Sequence, residues 1–264
     1  MTMGSLLRLT AVAAALLVFA TAAPGVAVPA SAQGFSDAQR GDIERIIKEY
    51  LLKHPEVLQE AISELEKRQQ VAEAEKGKVA VKQNAELIFS SPRQVTVGNL
   101  QGDVTMVEFF DYNCGYCKRA LIDMTTLMKA DPKLRVVLKE FPVLGPGSVE
   151  AAQVATAVRM QDRTGKKYME FHQKLLTGRG QVDKARALAV AKEVGLDMAR
   201  LEKDIASDEV RASLQESMQL ADKLGLNGTP SYVIGPSVVV GAVGVDTLRE
   251  KIESARACAA NATC

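Results

Sequence analysis

Beyond residue 32 the sequence has no long apolar run, no surplus of either charge, few cysteines and few histidines, and each shortage removes a class of protein. No later stretch is long and apolar enough to be read as a bilayer-spanning helix. The 33 basic and 32 acidic residues nearly cancel. That argues against nucleic acid or an anionic membrane surface as the main partner, since both need a basic excess. The four cysteines in 264 residues are not needed as a scaffold, because a chain of this length can bury a sizeable core without one. They are expected to be chemical. The two histidines, His54 and His172, fall in no metal-ligand pattern. His54 precedes a proline and reads as an interhelical turn residue. His172 lies among aromatic residues and reads as packing. The methionines scatter through helical segments as core filler. No cofactor and no metal are expected.

What is present starts with the N-terminus. Arg8 precedes a run from Leu9 to Ala20 that is apolar except for Thr10, no acidic residue appears before Asp37, and Ala30-Ser31-Ala32 offers a small-residue cleavage pattern. Residues 1–32 therefore read as a cleaved signal peptide, with an uncleaved anchor as the alternative. Removing them takes away only one charge, Arg8, and leaves basic and acidic residues equal in number. Export places the chain in an oxidising compartment, the periplasm, where a dithiol can cycle through its disulfide.

Residues 33–75 read as a helical leader. Ile43, Ile46, Ile47, Tyr50 and Leu51 line one helical face. His54-Pro55 interrupts, and Val57, Leu58, Ala61, Ile62 and Leu65 carry a second helix. The charged stretch Glu73–Lys78, containing Gly77, is expected to fade into a solvated linker, with residues 76–93 as a linking helix. The two apolar faces need a partner. It is either the rest of the chain or further copies of the leader, in a short helical oligomer rather than a long coiled coil.

Residues 94–264 read as one α/β domain. Strands are expected at Gln94–Val97, Val104–Phe110, buried on both faces, and Leu134–Phe141. Between 148 and 224 only helical segments appear, an insertion too long for a loop. Strand character returns at Ser231–Ile234 and Val238–Ala242 around Gly235-Pro236-Ser237, and a last helix begins near Asp246.

Cys114 and Cys117 stand where the buried strand passes into a helix. Unpaired backbone N–H groups and the positive end of the helix dipole at that junction favour a thiolate, the form that attacks disulfides. Cys114 is thus expected to be the exposed nucleophile. Cys117, one turn further on the apolar face, is the resolving thiol. A structural zinc half-site or an inert disulfide is the plainer alternative, and a zinc site would have only Cys258 and Cys264 as its second pair. Glu108 is the only ionisable residue within Val104–Phe110, where a carboxylate is costly unless paired or protonated. Lys139 is its candidate partner. The two are read either as a buried pair that handles the Cys117 proton or as a strand-edge salt bridge. Thr229-Pro230 opens a strand, and a cis bond there would present the Thr229 backbone to an extended peptide.

The stretches Glu108-Phe109-Phe110-Asp111-Tyr112-Asn113-Cys114-Gly115-Tyr116-Cys117, Lys139-Glu140-Phe141-Pro142 and Gly228-Thr229-Pro230-Ser231 together resemble the DsbA family of the thioredoxin superfamily. Ile46-Ile47-Lys48-Glu49-Tyr50-Leu51-Leu52-Lys53-His54-Pro55-Glu56-Val57-Leu58 resembles the helical leader of its suppressor-of-copper-sensitivity C branch. The resemblance implies a thioredoxin fold with an inserted helical domain and a cis Pro230 facing Cys114. It also implies buried acidic and basic roles for Glu108 and Lys139, and a homo-oligomeric, trimeric leader. Gly115-Tyr116 departs from the Pro-His of DsbA and the Pro-Tyr common in the branch. Without a histidine beside Cys114, a less oxidising disulfide than that of DsbA is expected.

Cys258 and Cys264 read as a small terminal disulfide, with an auxiliary redox or copper-binding pair as the alternative. The whole is read as a periplasmic thiol-disulfide oxidoreductase, isomerase or reductase before oxidase. Its partners are exported proteins with cysteines and a membrane-bound redox protein that resets it. A Cu(I)-binding protein using Cys114 and Cys117 is the rival from another class, and a holdase acting through the leader is a third reading.

Overall fold

A computed structural model describes residues 34–162 and 164–260. The expected signal peptide and Cys264 lie outside the described residues. The chain divides into two units, Met1–Ala61 and Ile62–Cys264.

In the first unit, helix α1 (Asp37–Lys53) starts at a capping box: the Ser36 Oγ accepts the Gln39 N–H at 3.3 Å while Gln39 Oε1 accepts the Ser36 N–H at 2.9 Å. No residue of α1 is buried, and Ile43, Ile46, Ile47 and Tyr50 are exposed. The helix ends at His54, ahead of Pro55, and α2 (Glu56–Gln83) follows.

The linker expected at Glu73–Lys78 is instead helix, because α2 runs through it without a break. Ion pairs between Glu73 and Lys76 at 2.7 Å and between Glu75 and Lys78 at 2.6 Å lie along the helix surface. A Cβ at Gly77 would stand 3.4 Å from Val238, so the glycine marks a close approach rather than a break. The short α3 (Ala85–Phe89) leads into the sheet.

The second unit is built on a five-stranded sheet of order β1-β3-β2-β4-β5. In chain order the elements are β1 (Val95–Gly98), β2 (Val104–Phe110), α4 (Gly115–Ala130) and β3 (Leu134–Glu140). Then come α5 (Pro146–Gln161), α6 (Lys166–Thr177), α7 (Lys184–Glu193), α8 (Met198–Ile205) and α9 (Asp208–Lys223). The chain closes with β4 (Ser231–Ile234), β5 (Ser237–Val240) and α10 (Val245–Ala260). β2 and β3 run parallel, joined through α4, and the other pairings are antiparallel. Ser237 pairs with Ile234, so the last hairpin turns on Gly235 and Pro236 alone, and β5 begins one residue earlier than the alternation suggested.

Period-2 alternation sends Met106 and Phe110 to one core with α4, α6 and α10, and Val107 and Phe109 to a second with Val81, Ile88 and Leu220. Both faces of β2 are therefore covered, which is why it reads as an almost continuous apolar run. Among the described residues no helix is long and apolar enough to cross a membrane.

Candidate active site

Cys114 is the N-cap of α4, in an extended conformation at the end of the loop that leaves β2. Its Sγ accepts the Cys117 N–H at 3.4 Å, and lies 3.2 Å from the Thr229 carbonyl oxygen, to which the thiol form donates. The peptide bond between Thr229 and Pro230 is cis. The topology thus brings the start of α4 and the start of β4 together, 115 residues apart in sequence. Both cysteines are free thiols and both are buried, so the expected exposure of Cys114 is corrected: it is 5% exposed, packed between the start of α4 and the Thr229 carbonyl, against 0% for Cys117.

Their electrostatics differ in sign. Hydrogen bonding from Cys117, with further bonds from the Thr229 side chain and from the backbone N–H groups of Cys117 and Tyr116, brings the Cys114 thiol down to about 5 against the opposing effect of burial. Cys117 is pushed up, first by its hydrogen bond to Cys114 and then by burial. One sulfur is held ready to ionise, and its neighbour is held as a thiol.

Gly115 and Tyr116 are exposed on the first turn of α4, with Tyr116 61% accessible and the Arg119 guanidinium 5.7 Å from its ring centroid. A Cβ at Gly115 would meet nothing within 4 Å. The glycine is therefore not required by packing there.

Glu108 and Lys139 are both buried, but they do not pair. In the β2–β3 register Glu108 stands opposite Leu138 and Lys139 opposite Phe109. Directly opposed residues share a face, so the carboxylate and the ammonium lie on opposite faces of the sheet. Lys139 Nζ donates to the Leu87 carbonyl at 2.7 Å, and burial lowers its pKa to about 8. On the cysteine side, burial raises Glu108 to about 8, with the charges of Asp123 and Cys114 pushing the same way. The expected buried pair is thereby corrected to two ionisable groups buried separately, each pushed by burial toward its neutral form.

Residues that sequence reasoning passed over hold the cysteine loop. The Asp111 carboxylate accepts from Ser148 Oγ at 2.7 Å and from the backbone N–H groups of Val143 and Leu144 at 2.9 and 3.0 Å. Asn113 spans to the insertion: its Oδ1 accepts the Val182 N–H at 2.7 Å and its Nδ2 donates to the Val182 carbonyl at 2.9 Å. Tyr168 donates to Glu140 at 2.7 Å, and the Tyr112 hydroxyl lies 3.5 Å from that of Tyr168 and 3.3 Å from His172 Nδ1. This buried chain ties the loop before Cys114 to β3 and α6. The one signal for these residues was the polar spacing Asp111, Tyr112, Asn113 between an apolar strand and a helix start, where side chains must satisfy a tight junction. His172 is packed edge-on against Phe110 at 4.6 Å and held neutral by burial, with its pKa lowered to about 3. Cys258 is disulfide-bonded, and Cys264, its expected partner, is outside the described residues.

With this geometry in view, the likenesses to known proteins are specific. Residues 105–253 match the DSBA-like thioredoxin domain family, and residues 39–72 match the copper resistance protein ScsC N-terminal domain. A thioredoxin-like oxidoreductase from Silicibacter pomeroyi is 44% identical, over 66% of this chain and 98% of that one, with a TM-score of 0.62. Proteus mirabilis ScsC in a transitional conformation is 26% identical over 84% of this chain and 99% of that one, with a TM-score of 0.62. Among curated relatives, a Na(+)/H(+) antiporter, NhaA 1 of Salinispora arenicola, is 26% identical over 160 residues, which are 60% of this chain and 24% of that protein. The chain thus spans about a quarter of the length of that relative.

Proposed function

The chain belongs to the DSBA-like thioredoxin domain family, and from that premise we propose that it is a periplasmic thiol-disulfide oxidoreductase acting on exported proteins. The Cys114 thiolate attacks a substrate disulfide and forms a mixed disulfide. Cys117 then attacks Cys114 Sγ, closes the Cys114–Cys117 disulfide and releases the substrate as a thiol. The observation that carries this reading is the split between the two sulfurs, Cys114 at about 5 and Cys117 raised, at a helix start facing Thr229.

The same split bears on direction. A nucleophile at about 5 lies between thioredoxin at about 7 and DsbA at about 3.5. That supports isomerase or reductase action over strong oxidation. The exposed apolar residues Ile46, Ile47, Tyr50, Leu58, Ile62 and Leu65 support self-association of the leader, as does its match to the ScsC N-terminal domain. A membrane-bound redox protein is the proposed partner that resets the pair.

Refolding of scrambled ribonuclease by the full-length and leader-deleted proteins tests this. The full-length protein is expected to be oligomeric and to reshuffle disulfides. The shortened one is expected to be monomeric, active in insulin reduction and poor in reshuffling. Equal reshuffling by two monomeric proteins would count against the oligomeric isomerase.

A further inference from the structure

Asn113 and Lys118 strap the loop between α6 and α7 against the cysteine loop and the first turns of α4. Lys118 Nζ donates to the Gly178 carbonyl at 2.9 Å, while the Asn113 amide bonds to both the N–H and the carbonyl of Val182. Residues 178–182 are thereby held beside the segment that carries Cys114. Four cations collect along this strap. Lys118 forms it, the Arg119 guanidinium lies 5.7 Å from the ring centroid of Tyr116, and Arg179 is exposed in the loop itself. From α7, Arg186 reaches back so closely that a Cβ at Gly178 would collide with its guanidinium. Glycine at that position is what admits it.

None of the four makes an ion pair among the described residues, although arginines elsewhere do: Arg93 and Arg159 with Glu209, Arg200 with Asp204, and Arg256 with Asp103. The Arg186 Nε is buried and has no hydrogen-bond partner among the described residues. Carboxylates on the surrounding elements are engaged elsewhere or set back. Asp111 is buried and taken up by Ser148 and by the Val143 and Leu144 N–H groups. Asp183 caps α7 through the Arg186 N–H at 2.9 Å, and Glu150 accepts the Lys184 N–H at 3.2 Å. Asp123 stands one helical turn beyond Arg119, half-buried and without an ion pair. Lys184, exposed at the start of α7, adds a fifth positive charge. The whole chain carries a formal charge of only +1, so this is a local field beside the nucleophile and not a general attraction for anions.

We propose that this cationic rim selects substrate proteins that carry acidic residues next to the reacting cysteine. The inference rests on the reading of Cys114 as the attacking thiolate and names the substrate class of that site. A chain whose disulfide is within reach of Cys114 passes one flank over the α6–α7 loop, where its Asp or Glu side chains meet Arg119 and Arg179. Guanidinium groups take carboxylates in a bidentate fashion, and charges at an exposed rim act mainly on the rate of encounter. In the step itself the Cys114 thiolate forms a bond to the nearer substrate sulfur, the substrate S–S bond breaks, and the departing sulfur takes the electron pair as a thiolate. The rim thus attracts the acidic flank before the exchange and faces a second anion, the departing thiolate, after it.

The test measures, by stopped flow at low salt, the second-order rate at which the reduced full-length protein forms a mixed disulfide with three peptides. Each holds one disulfide, and they differ only in the residues flanking it: glutamate, glutamine or lysine. The glutamate peptide is expected to react about tenfold faster than the lysine peptide, with the glutamine peptide between them. The spread should collapse in about 0.5 M salt, where exposed charges are screened within a few ångströms. Arg119 and Arg179 are both exposed, so Arg119→Glu combined with Arg179→Glu leaves the packing intact and is expected to reverse the order of the glutamate and lysine peptides. Equal rates for the three peptides at low salt, or the wild-type order in that double variant, would overturn the proposal. So would the same reversal in Arg211→Glu combined with Lys223→Glu, which makes an equal change in net charge from α9. No reaction with any of the peptides would sink the oxidoreductase reading and the inference with it, whereas reaction with all three at one rate would sink the inference alone.

Discussion

Glu108 and Lys139 lie one register step apart on neighbouring parallel strands, and that single step puts them on opposite faces of the sheet. One faces the cysteines. The other donates to the Leu87 carbonyl, on the strand face it shares with Val137 and Phe141.

A double-mutant cycle with Glu108→Gln and Lys139→Met is therefore expected to be additive within about 0.5 kcal/mol in denaturant unfolding. A coupling well above that would restore the pair.

The rate of mixed-disulfide resolution is expected to rise with pH as Glu108 loses its proton. Its midpoint should fall somewhat below the value of about 8 in the reduced protein, because one cause of that value is the Cys114 charge, which is absent once Cys114 is bonded to substrate. Glu108→Gln should flatten the profile across pH 6–9, which stopped-flow measurement would reveal.

Acid stability should carry the mark of His172. The folded chain holds it neutral down to about 3, while the unfolded chain takes up a proton near 6.5. Between those values the unfolded state binds the extra proton, so this contribution makes stability fall as pH falls through that window. His172→Leu is expected to have a shallower loss than the wild type between pH 6.5 and 3 in urea titrations.

Asn113→Ala removes three hydrogen bonds, to Val182 N–H, Val182 carbonyl and Ser148 Oγ. It leaves a part-buried backbone N–H without its acceptor, at a cost of about 1–3 kcal/mol. Chemical denaturation measures the loss, and a change under about 0.3 kcal/mol would mean that the clamp contributes little.

The reduction potential is expected between about −270 mV for thioredoxin and about −120 mV for DsbA, since stabilisation of the reduced form follows the depression of the Cys114 pKa. Equilibration with glutathione would give the number.

The fold was readable wherever the periodicity was strong. Val104–Phe110 and the helix opening after Cys114 stand where alternation and apolar spacing put them, because both faces of β2 and one face of α4 are buried. Gly77 misled, since a glycine amid charged residues has the composition of a linker while its close approach to Val238 leaves the helix intact. The Glu108–Lys139 pairing was not legible either. Each residue's own-strand neighbours were read correctly, but inter-strand register is a tertiary property that no local pattern encodes. The Asp111 and Asn113 contacts were hidden for the same reason, their partners being 32 to 69 residues away.

The central claim is that the junction of β2 and α4 makes Cys114 the thiolate and keeps Cys117 a thiol. Iodoacetamide labelling of the reduced protein as a function of pH, with the labelled site identified by mass spectrometry, tests it most directly. Labelling at Cys114 with a midpoint near 5 and none at Cys117 is the expected result. Labelling at Cys117, or a Cys114 midpoint near the ordinary thiol value of 9.0, would contradict it.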